Sequence, residues 1–372
     1  MKGKRKTQIW QVPVPSGTGP EAFRESSPIL QAAKVLRQGG LVAFPTETVY
    51  GLGANGLDAK AVTDIFIAKG RPADNPLILH IASMEAIYRI VKDVPPLAIR
   101  LARTFWPGPL TLVLEKADHV PDVTTGGLDT VAVRMPSHPI ALALLDAAGI
   151  PVAAPSANQS GRPSPTEAAH VIADLLGRVD VILDGGSTGI GVESTVLDCT
   201  GARPIILRPG GIAKEALEES IGDEVELDPH VLATDEDEIE AGPVRSPGMK
   251  YKHYAPKAPA VLVEGDPPDL FQRVTELAQE MEAQGEQVGL MVSRELLQYW
   301  QDQAIDTGSW QVTCMGSRAN PGEIAASIYR CLRDLDQMNV TKIIIEGVPT
   351  SGIGLAIMNR LEKAAAHRIV DA

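Results

Sequence analysis

Short apolar runs and stretches of helical periodicity alternate along residues 26–222. Short apolar runs bounded by Gly, Pro and Asp predict strands, and apolar residues at i, i+3, i+4 predict helices. The predicted strands are Leu41–Phe44, Leu110–Leu114, Thr130–Arg134, Val152–Ala154, Val181–Leu183, Ser194–Leu197 and Ile205–Leu207, with another ending at His80. One helix is predicted to begin at Ser27. Three more are predicted at Pro96–Thr104, Ile140–Ala148 and Ala168–Leu176. The pattern predicts a mixed, twisted open sheet in an α/β domain, preceded by a flexible tail at 1–25.

The rest of the chain is organised around the segment Phe44–His80. It is predicted to form a strand, a glycine-rich turn, a helix, a basic loop and a second strand. Asp58 is expected to cap the helix and Gly70 to end it. Lys69 continues the apolar stripe of this helix, so its side chain is expected to point inward, with Arg71 just beyond it. An inward lysine followed by an arginine indicates a pocket that binds an anion.

The last third of the chain has a second, simpler alternation. Residues 223–259 are predicted to form a linker, acidic at first and then rich in Pro, Tyr and basic residues. From 260 onward, strands at Val261–Val263, Val288–Val292 and Ile343–Glu346 alternate with helices at Leu270–Glu282, Pro321–Met338 and Leu355–Ala366. Alternating strands and helices predict a small, doubly wound, Rossmann-like domain over 260–372.

The net charge of the chain argues against a general binder of nucleic acids or membrane surfaces. The net charge is −13, from 34 basic and 47 acidic residues. The segment Glu215–Glu240 holds 12 acidic residues and no Lys or Arg, so the remainder is nearly neutral. A basic pocket is therefore compatible with the overall acidity.

Cysteine content and hydrophobicity indicate a reduced, cytoplasmic protein. The three cysteines have neither the spacing of a metal site nor an even count for a disulfide framework, so buried free thiols are expected. The basic start of the chain has no apolar run typical of a signal peptide, and no apolar stretch is long enough for a membrane span.

Two glycine-rich motifs suggest nucleotide binding only weakly. Gly51–Gly56 has the GxGxxG spacing of a dinucleotide fingerprint, but a tight turn between a strand and a helix explains it better. Gly186–Gly191 has the glycine spacing of a P-loop, but Val192 and Glu193 stand where Lys and Ser or Thr are required. If a nucleotide binds, scattered side chains and turns are expected to hold its phosphates.

Several of these scattered side chains have both a functional and a structural explanation. Arg134 and Arg208 each close an apolar strand, where ligands collect in open α/β sheets, and a planar guanidinium suits carboxylate or phosphate. On spacing alone, His80 is better explained as a half-buried, hydrogen-bonded histidine. Ser156 and Asn158 are explained about equally well as loop-ordering residues. Ser164 is predicted to be a helix N-cap within Ser164–Glu167, a position that also suits phosphate.

Seven segments of the sequence, taken together and in order, resemble the motifs of a known protein family. They are PTETVYGLG, KGRPADNPLILH, WPGPLTLVL, VAVRMPSHP, APSANQSGRPSPT, GVESTVLD and LRPGG, spread over Leu30–Gly211. Together they closely resemble the threonylcarbamoyl-AMP synthase family, whose catalytic part is the YrdC-like domain. The segment SPGMKYKHYAP and the α/β region after it resemble the long, two-domain form of that family.

The resemblance implies an activity and a set of site residues. It implies a nucleotidyltransferase that makes threonylcarbamoyl-AMP and pyrophosphate from L-threonine, bicarbonate and ATP, with Mg²⁺ expected on the phosphates and metal ligands unknown. Lys69 and Arg71 match the family's catalytic Lys-x-Arg signature. The resemblance assigns threonine binding to Thr48, His80, Arg134, Ala154 and Ser194. It assigns ATP binding to Arg71, Asn75, Thr130, Ser156, Asn158, Ser164, Arg208 and Tyr254.

The resemblance also implies partners, and it leaves alternatives. A downstream transferase is expected to pass the threonylcarbamoyl group to an adenosine of tRNA, with direct tRNA binding not the main role. The linker with Tyr254 is expected to act as a lid over the pocket. The alternatives are an RNA-binding module of the same fold, a domain of the hydrogenase-maturation type and an NAD enzyme. The overall acidity counts against the RNA-binding module. The lack of zinc-binding cysteine pairs counts against the hydrogenase-maturation type. The weakness of the glycine fingerprint counts against the NAD enzyme.

Overall fold

The computed structural model describes residues 5–15, 17–232 and 254–372 of the chain. The chain divides into two compact units. The first unit comprises Met1–Ser160 and Ser164–Lys250, and the second comprises Gly161–Pro163 and Tyr251–Ala372. The α/β class predicted for both parts is confirmed, whereas the predicted boundaries at 222 and 259 stay predictions.

The strands described in the first unit form one mixed, eleven-stranded sheet. Its order is β1-β8-β2-β3-β7-β4-β6-β5-β9-β10-β11. Neighbours such as β4 and β6 are parallel, whereas β5 and β6 are antiparallel. The strands are β1 (Gln8–Gln11), β2 (Val42–Pro45), β3 (Tyr50–Asn55), β4 (Ile78–His80), β5 (Leu110–Glu115), β6 (Thr130–Arg134), β7 (Val152–Ala153), β8 (Val181–Asp184), β9 (Thr195–Asp198), β10 (Ile205–Arg208) and β11 (Glu226–Leu227).

Alternate residues of the central strands belong to different apolar clusters, which shows that both faces of the sheet are buried. In the β2 region, Leu41 and Ala43 join one cluster and Val42 and Phe44 the other. Burial on both faces explains why this segment is continuously apolar rather than alternating. The helices of the unit are α1 (Ser27–Arg37), α2 (Ala59–Lys69), α3 (Pro96–Phe105), α4 (Asp122–Thr125), α5 (Pro139–Ala148), α6 (Ala168–Leu175), α7 (Lys214–Ile221) and α8 (Pro229–Leu232).

The glycine-rich segment after β2 is a strand, and the predicted turn is wrong. Residues 50–55 form β3, which pairs antiparallel with β2 and β7. A Cβ at Gly53 would lie 2.9 Å from side-chain atoms of Phe44 and Val152, so glycine allows the flanking side chains to approach closely. Only Gly56 lies beyond the strand, so the strand–turn–helix context of a dinucleotide fingerprint is missing and the NAD interpretation fails.

Two further expectations about the first unit are wrong. The predicted tail at 1–25 contains β1, which pairs parallel with β8, and a buried Phe23. A four-residue edge strand of mixed polarity gives little periodic signal, which explains why the sequence did not reveal it. The helix predicted at Ala168–Leu176 is present as Ala168–Leu175, but the predicted capping box before it is wrong, because the helix has no side-chain cap.

The helix that begins after Asp58 follows the sequence closely. Asp58 accepts hydrogen bonds from the backbone nitrogens of Lys60 and Ala61, and Gly70 ends the helix in the left-handed conformation at φ 64°. Glycine adopts that conformation without the steric cost that other residues incur. Lys69 is 3% exposed, so the inward placement predicted for it is confirmed.

The second unit holds a five-stranded, entirely parallel sheet of order β14-β13-β15-β12-β16. Its strands are β12 (Ala260–Glu264), β13 (Val288–Ser293), β14 (Gln311–Gly316), β15 (Lys342–Glu346) and β16 (Ile369–Asp371). Its helices are α9 (Asp269–Ala283), α10 (Arg294–Asp302), α11 (Pro321–Leu335) and α12 (Gly354–Ala364). The parallel, helix-connected sheet agrees with the predicted Rossmann-like class, although β14, β16 and α10 were not predicted.

In the part of the chain that the structure describes, no helix combines the length and the hydrophobicity that a bilayer crossing requires.

Candidate active site

Two of the predicted residues lie side by side at the carboxyl ends of parallel strands. His80 ends β4 and Arg134 ends β6, and they are direct neighbours in the register of the two strands. The backbone nitrogen of Ile81 donates to the carbonyl oxygen of Arg134 at 2.9 Å and so continues the pairing. In open α/β sheets, ligands bind in the crevice outside the carboxyl ends of the strands. Arg134 therefore closes its strand at a position suited to a ligand.

The guanidinium of Arg134 is buried and held by two loops. Arg134 is 3% exposed, and its Nη1 donates to Oγ1 of Thr48 at 3.0 Å. Its Nη2 pairs with Oε1 of Glu47 at 2.6 Å, and its Nε donates to the carbonyl oxygen of Gly108 at 3.3 Å. These contacts fix the plane of the guanidinium. A fixed guanidinium can bind a carboxylate through two parallel hydrogen bonds.

His80 is a neutral residue in this site. It is 3% exposed, and its Nδ1 lies 3.2 Å from the carbonyl oxygen of Ile78. Burial lowers the pKa of His80 from 6.5 to about 3, and the nearby positive charge of Arg134 contributes in the same direction. The imidazole can therefore form hydrogen bonds at neutral pH without adding charge beside Arg134.

This burial predicts a specific dependence of stability on pH. The unfolded chain binds a proton at His80 below pH 6.5, whereas the folded protein does not until about pH 3, so stability falls as the pH drops through this window. Between pH 7 and 5, His80 is expected to cost about 2 kcal/mol of unfolding free energy. Urea unfolding of the His80→Gln variant should show a pH dependence smaller by that amount. Replacing the exposed His119 in the same way should leave the dependence unchanged; an equal dependence in wild type and His80→Gln would contradict the assignment.

Ser194 and Arg208 form a second cluster directly beside Arg134. Oγ1 of Thr111 and Oγ of Ser194 lie 2.8 Å apart, and Thr111 pairs with Arg134 in the antiparallel register of β5 and β6. Nη2 of Arg208 donates to the carbonyl oxygen of Ser194 at 2.9 Å and to its Oγ at 3.2 Å. The structure thus brings together Ser194, predicted for threonine, and Arg208, predicted for ATP.

Close backbone packing fixes the position of Ser194. A Cβ at Gly210 would lie 2.3 Å from the carbonyl oxygen of Glu193, the carbonyl carbon of Ser194 and the backbone nitrogen of Thr195. No side chain fits there, which explains a glycine immediately after Arg208 and Pro209. The Arg-Pro-Gly segment therefore packs its backbone directly against the one that carries Ser194.

The glycine-rich segment 185–191 packs against the loop that carries Thr48. The backbone nitrogen of Ile190 donates to the carbonyl oxygen of Glu47 at 2.8 Å, and that of Gly191 donates to the carbonyl oxygen of Thr48 at 3.1 Å. The hydroxyl of Tyr50 donates to the carbonyl oxygen of Gly186 at 2.7 Å. These contacts hold the loop that carries Thr48.

Lys69 lies against the Ser156–Asn158 loop. Its Nζ donates to the carbonyl oxygen of Ser156, to that of Asn158 at 2.7 Å and to Oδ1 of Asn158 at 3.2 Å. Oγ of Ser156 also donates to Oδ1 of Asn158 at 2.5 Å. The structure therefore brings the Lys-x-Arg and Ser-x-Asn signatures together, and Lys69 orders the loop that carries Ser156 and Asn158.

Two of the residues predicted for the nucleotide lie at the amino ends of β4 and β6. Asn75 precedes β4 and Thr130 begins β6, the opposite end from Arg134. Asn75 is 1% exposed, and in the described part of the chain neither polar atom of its amide has a hydrogen-bond partner. Nη2 of Arg71 donates to the carbonyl oxygen of Pro76 at 3.3 Å. Buried amides are normally satisfied, so Asn75 is suited to bind a ligand.

Ser164 binds an acidic side chain rather than capping a helix, which corrects the sequence prediction. Its Oγ donates to Oε1 of Glu193 at 2.6 Å, and both side chains are buried. The backbone nitrogen of Tyr50 donates to the carbonyl oxygen of Pro165 at 2.8 Å, so this segment runs beside β3. The hydrogen bond links Ser164 to the residue immediately before Ser194.

Ala154 and Tyr254 complete the predicted set. The backbone nitrogen of Ala154 donates to the carbonyl oxygen of Ile78 at 3.0 Å, which places it beside the strand of His80. Tyr254 belongs to the second unit, where its ring stacks on Tyr329 at 5.2 Å and lies 5.4 Å from the guanidinium carbon of Arg360. Most of the predicted lid lies in 233–253, outside the described residues, and the roles of Tyr254 and the other site residues stay predictions.

Three residues of the site were missed by the sequence reasoning: Glu47, Thr111 and Glu193. Glu47 stands between two threonines of the PTET segment, and Thr111 is a hydroxyl residue among the apolar residues 110–114 of its strand. Both features are visible in the sequence. In the sequence, Glu193 is notable only because it is incompatible with a P-loop. Its hydrogen bond to Ser164 depends on tertiary packing, so no local pattern indicates it.

In residues 5–15, 17–232 and 254–372 there is no group of three or more His, Cys, Asp or Glu side chains arranged to hold an ion. Mg²⁺ in nucleotide sites is often held by one or two carboxylates together with the substrate phosphates. The described residues therefore offer no such three-ligand cage, and Mg²⁺ on the phosphates stays a prediction.

The comparisons with known proteins agree with this arrangement. A family model of Sua5, YciO and YrdC proteins, described as "Telomere recombination", matches residues 34–210. A second model, described as "Threonylcarbamoyl-AMP synthase, C-terminal domain", matches residues 212–366. A threonylcarbamoyl-AMP synthase of Pyrococcus abyssi is 50% identical over 342 residues, covering 91% of this chain and 94% of the relative. The chain belongs to the threonylcarbamoyl-AMP synthase family.

Other members of the threonylcarbamoyl-AMP synthase family match over nearly the full length. The Bacillus subtilis synthase is 47% identical over 366 residues, covering 98% of this chain and 99% of the relative. The crystal structure of P. abyssi Sua5 complexed with L-threonine has a TM-score of 0.88 and 46% identity, covering 98% of this chain and 99% of that one. The family suggested by the sequence motifs is confirmed.

Proposed function

We propose that this protein is a threonylcarbamoyl-AMP synthase. It joins L-threonine, bicarbonate and ATP to give threonylcarbamoyl-AMP, pyrophosphate and water. The amine of threonine first forms a bond to the carbon of bicarbonate, which releases water and gives N-carboxy-threonine. The new carboxylate then attacks the α-phosphorus of ATP and pyrophosphate leaves.

The observation that carries the proposal is the buried, oriented Arg134 at the carboxyl ends of the strands. Its guanidinium is held in place by Thr48 and Glu47 and lies beside the neutral His80. A positive, planar group in a crevice lined by hydroxyls suits the carboxylate of a hydroxy-amino acid. Because polar sites reject substrates that leave their buried groups unpaired, Thr48 and Ser194 support selection for the threonine hydroxyl.

The nucleotide is proposed to extend from this cluster toward the other end of β6. Thr130 and Arg134 are four residues apart, which corresponds to about 13 Å along a strand. Asn75 lies near the amino end with an unsatisfied amide, and Arg208 lies near the threonine cluster. This separation suits a molecule with a base and sugar at one end and a reacting phosphate at the other.

The catalysis proposed here depends on positioning and charge stabilisation. Holding the carbamate and the α-phosphate together converts a multi-component reaction into one within a single complex. Lys69 is the last residue of α2, and Arg71 lies two residues further on. Both are proposed to stabilise the negative charge that develops on the phosphates. When bound with ATP, Mg²⁺ supplies further charge neutralisation.

Three further parts of the proposal concern the surroundings of the reaction. The linker and Tyr254 act as a lid that excludes water, because the adenylate is readily hydrolysed. A separate transferase consumes the adenylate and modifies an adenosine of tRNA. The protein acts in the cytoplasm, where ATP and reduced thiols are available.

Identification of the product tests this proposal. Isotope-labelled bicarbonate should appear in a threonylcarbamoyl-AMP product detected by mass spectrometry when ATP and threonine are present. The label should be absent from the nucleotide when threonine is omitted. A labelled adenylate formed without threonine, or an unlabelled threonyl adenylate, would show that a different reaction takes place.

A further inference from the structure

A carboxylate that no predicted role uses lies next to Arg134. The side chain of Glu47 is 12% exposed, and its Oε1 accepts the hydrogen bond from Nη2 of Arg134 at 2.6 Å. The other oxygen, Oε2, is buried and has no hydrogen-bond partner in the described part of the chain. A buried carboxylate oxygen without a donor is costly, so its position calls for an explanation.

The position of this carboxylate is fixed by its backbone as well as by Arg134. The carbonyl oxygen of Glu47 accepts a hydrogen bond from the backbone nitrogen of Ile190 at 2.8 Å, and the next residue, Thr48, contacts Arg134 through its hydroxyl. His138 lies close enough for the Glu47 charge to act on it, yet burial still lowers the pKa of His138 to about 4. At neutral pH His138 therefore supplies no positive charge to Glu47.

The pair formed by Arg134 and Glu47 matches the charge pattern of a free amino acid. An amino acid carries a carboxylate and an ammonium group on the same carbon, so a site that binds both needs a positive and a negative group side by side. Arg134 supplies the first and Oε2 of Glu47 the second. Hydrogen bonds to charged groups are stronger than those between neutral groups, so this pairing adds to the affinity for an amino acid.

We propose that Oε2 of Glu47 accepts a hydrogen bond from the ammonium group of the amino-acid substrate, beside the carboxylate bound by Arg134. This rests on the proposed use of threonine as a substrate. The bound ammonium group supplies the missing donor for Oε2. It also places the nitrogen that must react with bicarbonate at a defined position next to the His80 and Arg134 strand ends.

The alternative role for Glu47 is to hold Arg134 in place. The two roles differ in which ligand they affect. If Glu47 only orients Arg134, its removal weakens every ligand that carries a carboxylate. If it binds the ammonium group, its removal weakens only ligands that carry that group. (R)-β-Hydroxybutyrate is threonine without its ammonium group and keeps the carboxylate and the hydroxyl, so it separates the two roles.

Calorimetry on the full chain, without ATP or bicarbonate, compares the affinities for L-threonine and (R)-β-hydroxybutyrate. The Glu47→Gln variant is expected to bind L-threonine about 10-fold to 100-fold more weakly than wild type, while binding of (R)-β-hydroxybutyrate changes by less than about threefold. As a control, Glu226→Gln removes the carboxylate of another Arg–Glu pair in the same unit, with Arg203 at 3.5 Å, and should change neither affinity.

Equal weakening of both ligands by Glu47→Gln would overturn the assignment and leave the proposed function standing. The wild-type protein provides a second measurement that needs no variant. It should prefer threonine over (R)-β-hydroxybutyrate by at least about tenfold, and equal affinities would also overturn the assignment. Failure of threonine to bind the wild-type protein at all would overturn both this inference and the proposed function.

Discussion

Replacing Arg134 by lysine is expected to lower kcat/KM for threonine on the order of 100-fold, which corresponds to about 2.7 kcal/mol of transition-state stabilisation. Lysine keeps the positive charge, so Glu47 remains compensated and the protein is expected to fold. It loses the planar arrangement of donors that now reaches Glu47, Thr48 and Gly108 simultaneously. Steady-state kinetics with varied threonine at saturating ATP measures the effect.

The matched control for this variant is Arg5→Lys. Arg5 also forms a pair with a carboxylate in the first unit, donating to Asp64 at 2.7 Å, but it has no predicted role in the reaction. Its replacement should leave kcat/KM within about twofold of wild type. Kinetics of Arg134→Lys indistinguishable from those of Arg5→Lys would mean that Arg134 does not bind the substrate.

Replacing Lys69 by alanine is expected to reduce kcat on the order of 100-fold to 1,000-fold, the usual effect of removing one group that stabilises developing negative charge. The structure adds a second consequence. Lys69 donates to Asn158 at 2.7 Å and to the carbonyl oxygen of Ser156, so its removal leaves buried acceptors without a donor. We therefore expect an additional loss of about 1–3 kcal/mol in unfolding free energy.

Parallel measurement of kcat and of urea unfolding separates these two effects. A loss of stability alone should not reduce the turnover of the molecules that remain folded. The decrease in kcat is therefore expected to be larger than the decrease in the folded fraction. Lys60→Ala, on the exposed side of the same helix, is the matched control and should change neither quantity appreciably. A folded Lys69→Ala variant with full activity would exclude Lys69 from the reaction.

The local pattern of the sequence predicted most elements of the first unit. The strand Thr130–Arg134 has the predicted bounds, and α2 has the predicted Asp58 cap and Gly70 end. These features depend on short-range rules such as capping, side-chain alternation and the conformational freedom of glycine. They can be predicted from neighbouring residues alone.

The wrong predictions share a different physical origin. The segment Tyr50–Asn55 forms a strand although it contains two glycines, because neighbouring strands cover it on both sides and leave no room for larger side chains. Ser164 was expected to cap a helix, but Glu193, far away in the chain, offers it a buried acceptor. In both places tertiary packing overrides a local preference.

The sequence predicted which residues make up the candidate site, but not which of them contact each other. The strand-end arginines and the inward Lys69 could be inferred from spacing, and the individual roles came from the family resemblance. That Arg134 is held by Glu47, and that Ser194 joins Thr111 to Arg208, follows only from the three-dimensional arrangement. Such contacts join residues that are distant in sequence, so no local pattern reveals them.

Pyrophosphate release from ATP tests the central claim most directly. The full-length protein should release pyrophosphate when threonine and bicarbonate are both present, and release should fall to background when either is omitted. Serine in place of threonine should support a much lower rate, because the methyl group beside the hydroxyl is missing. Pyrophosphate release that does not depend on threonine would contradict the account.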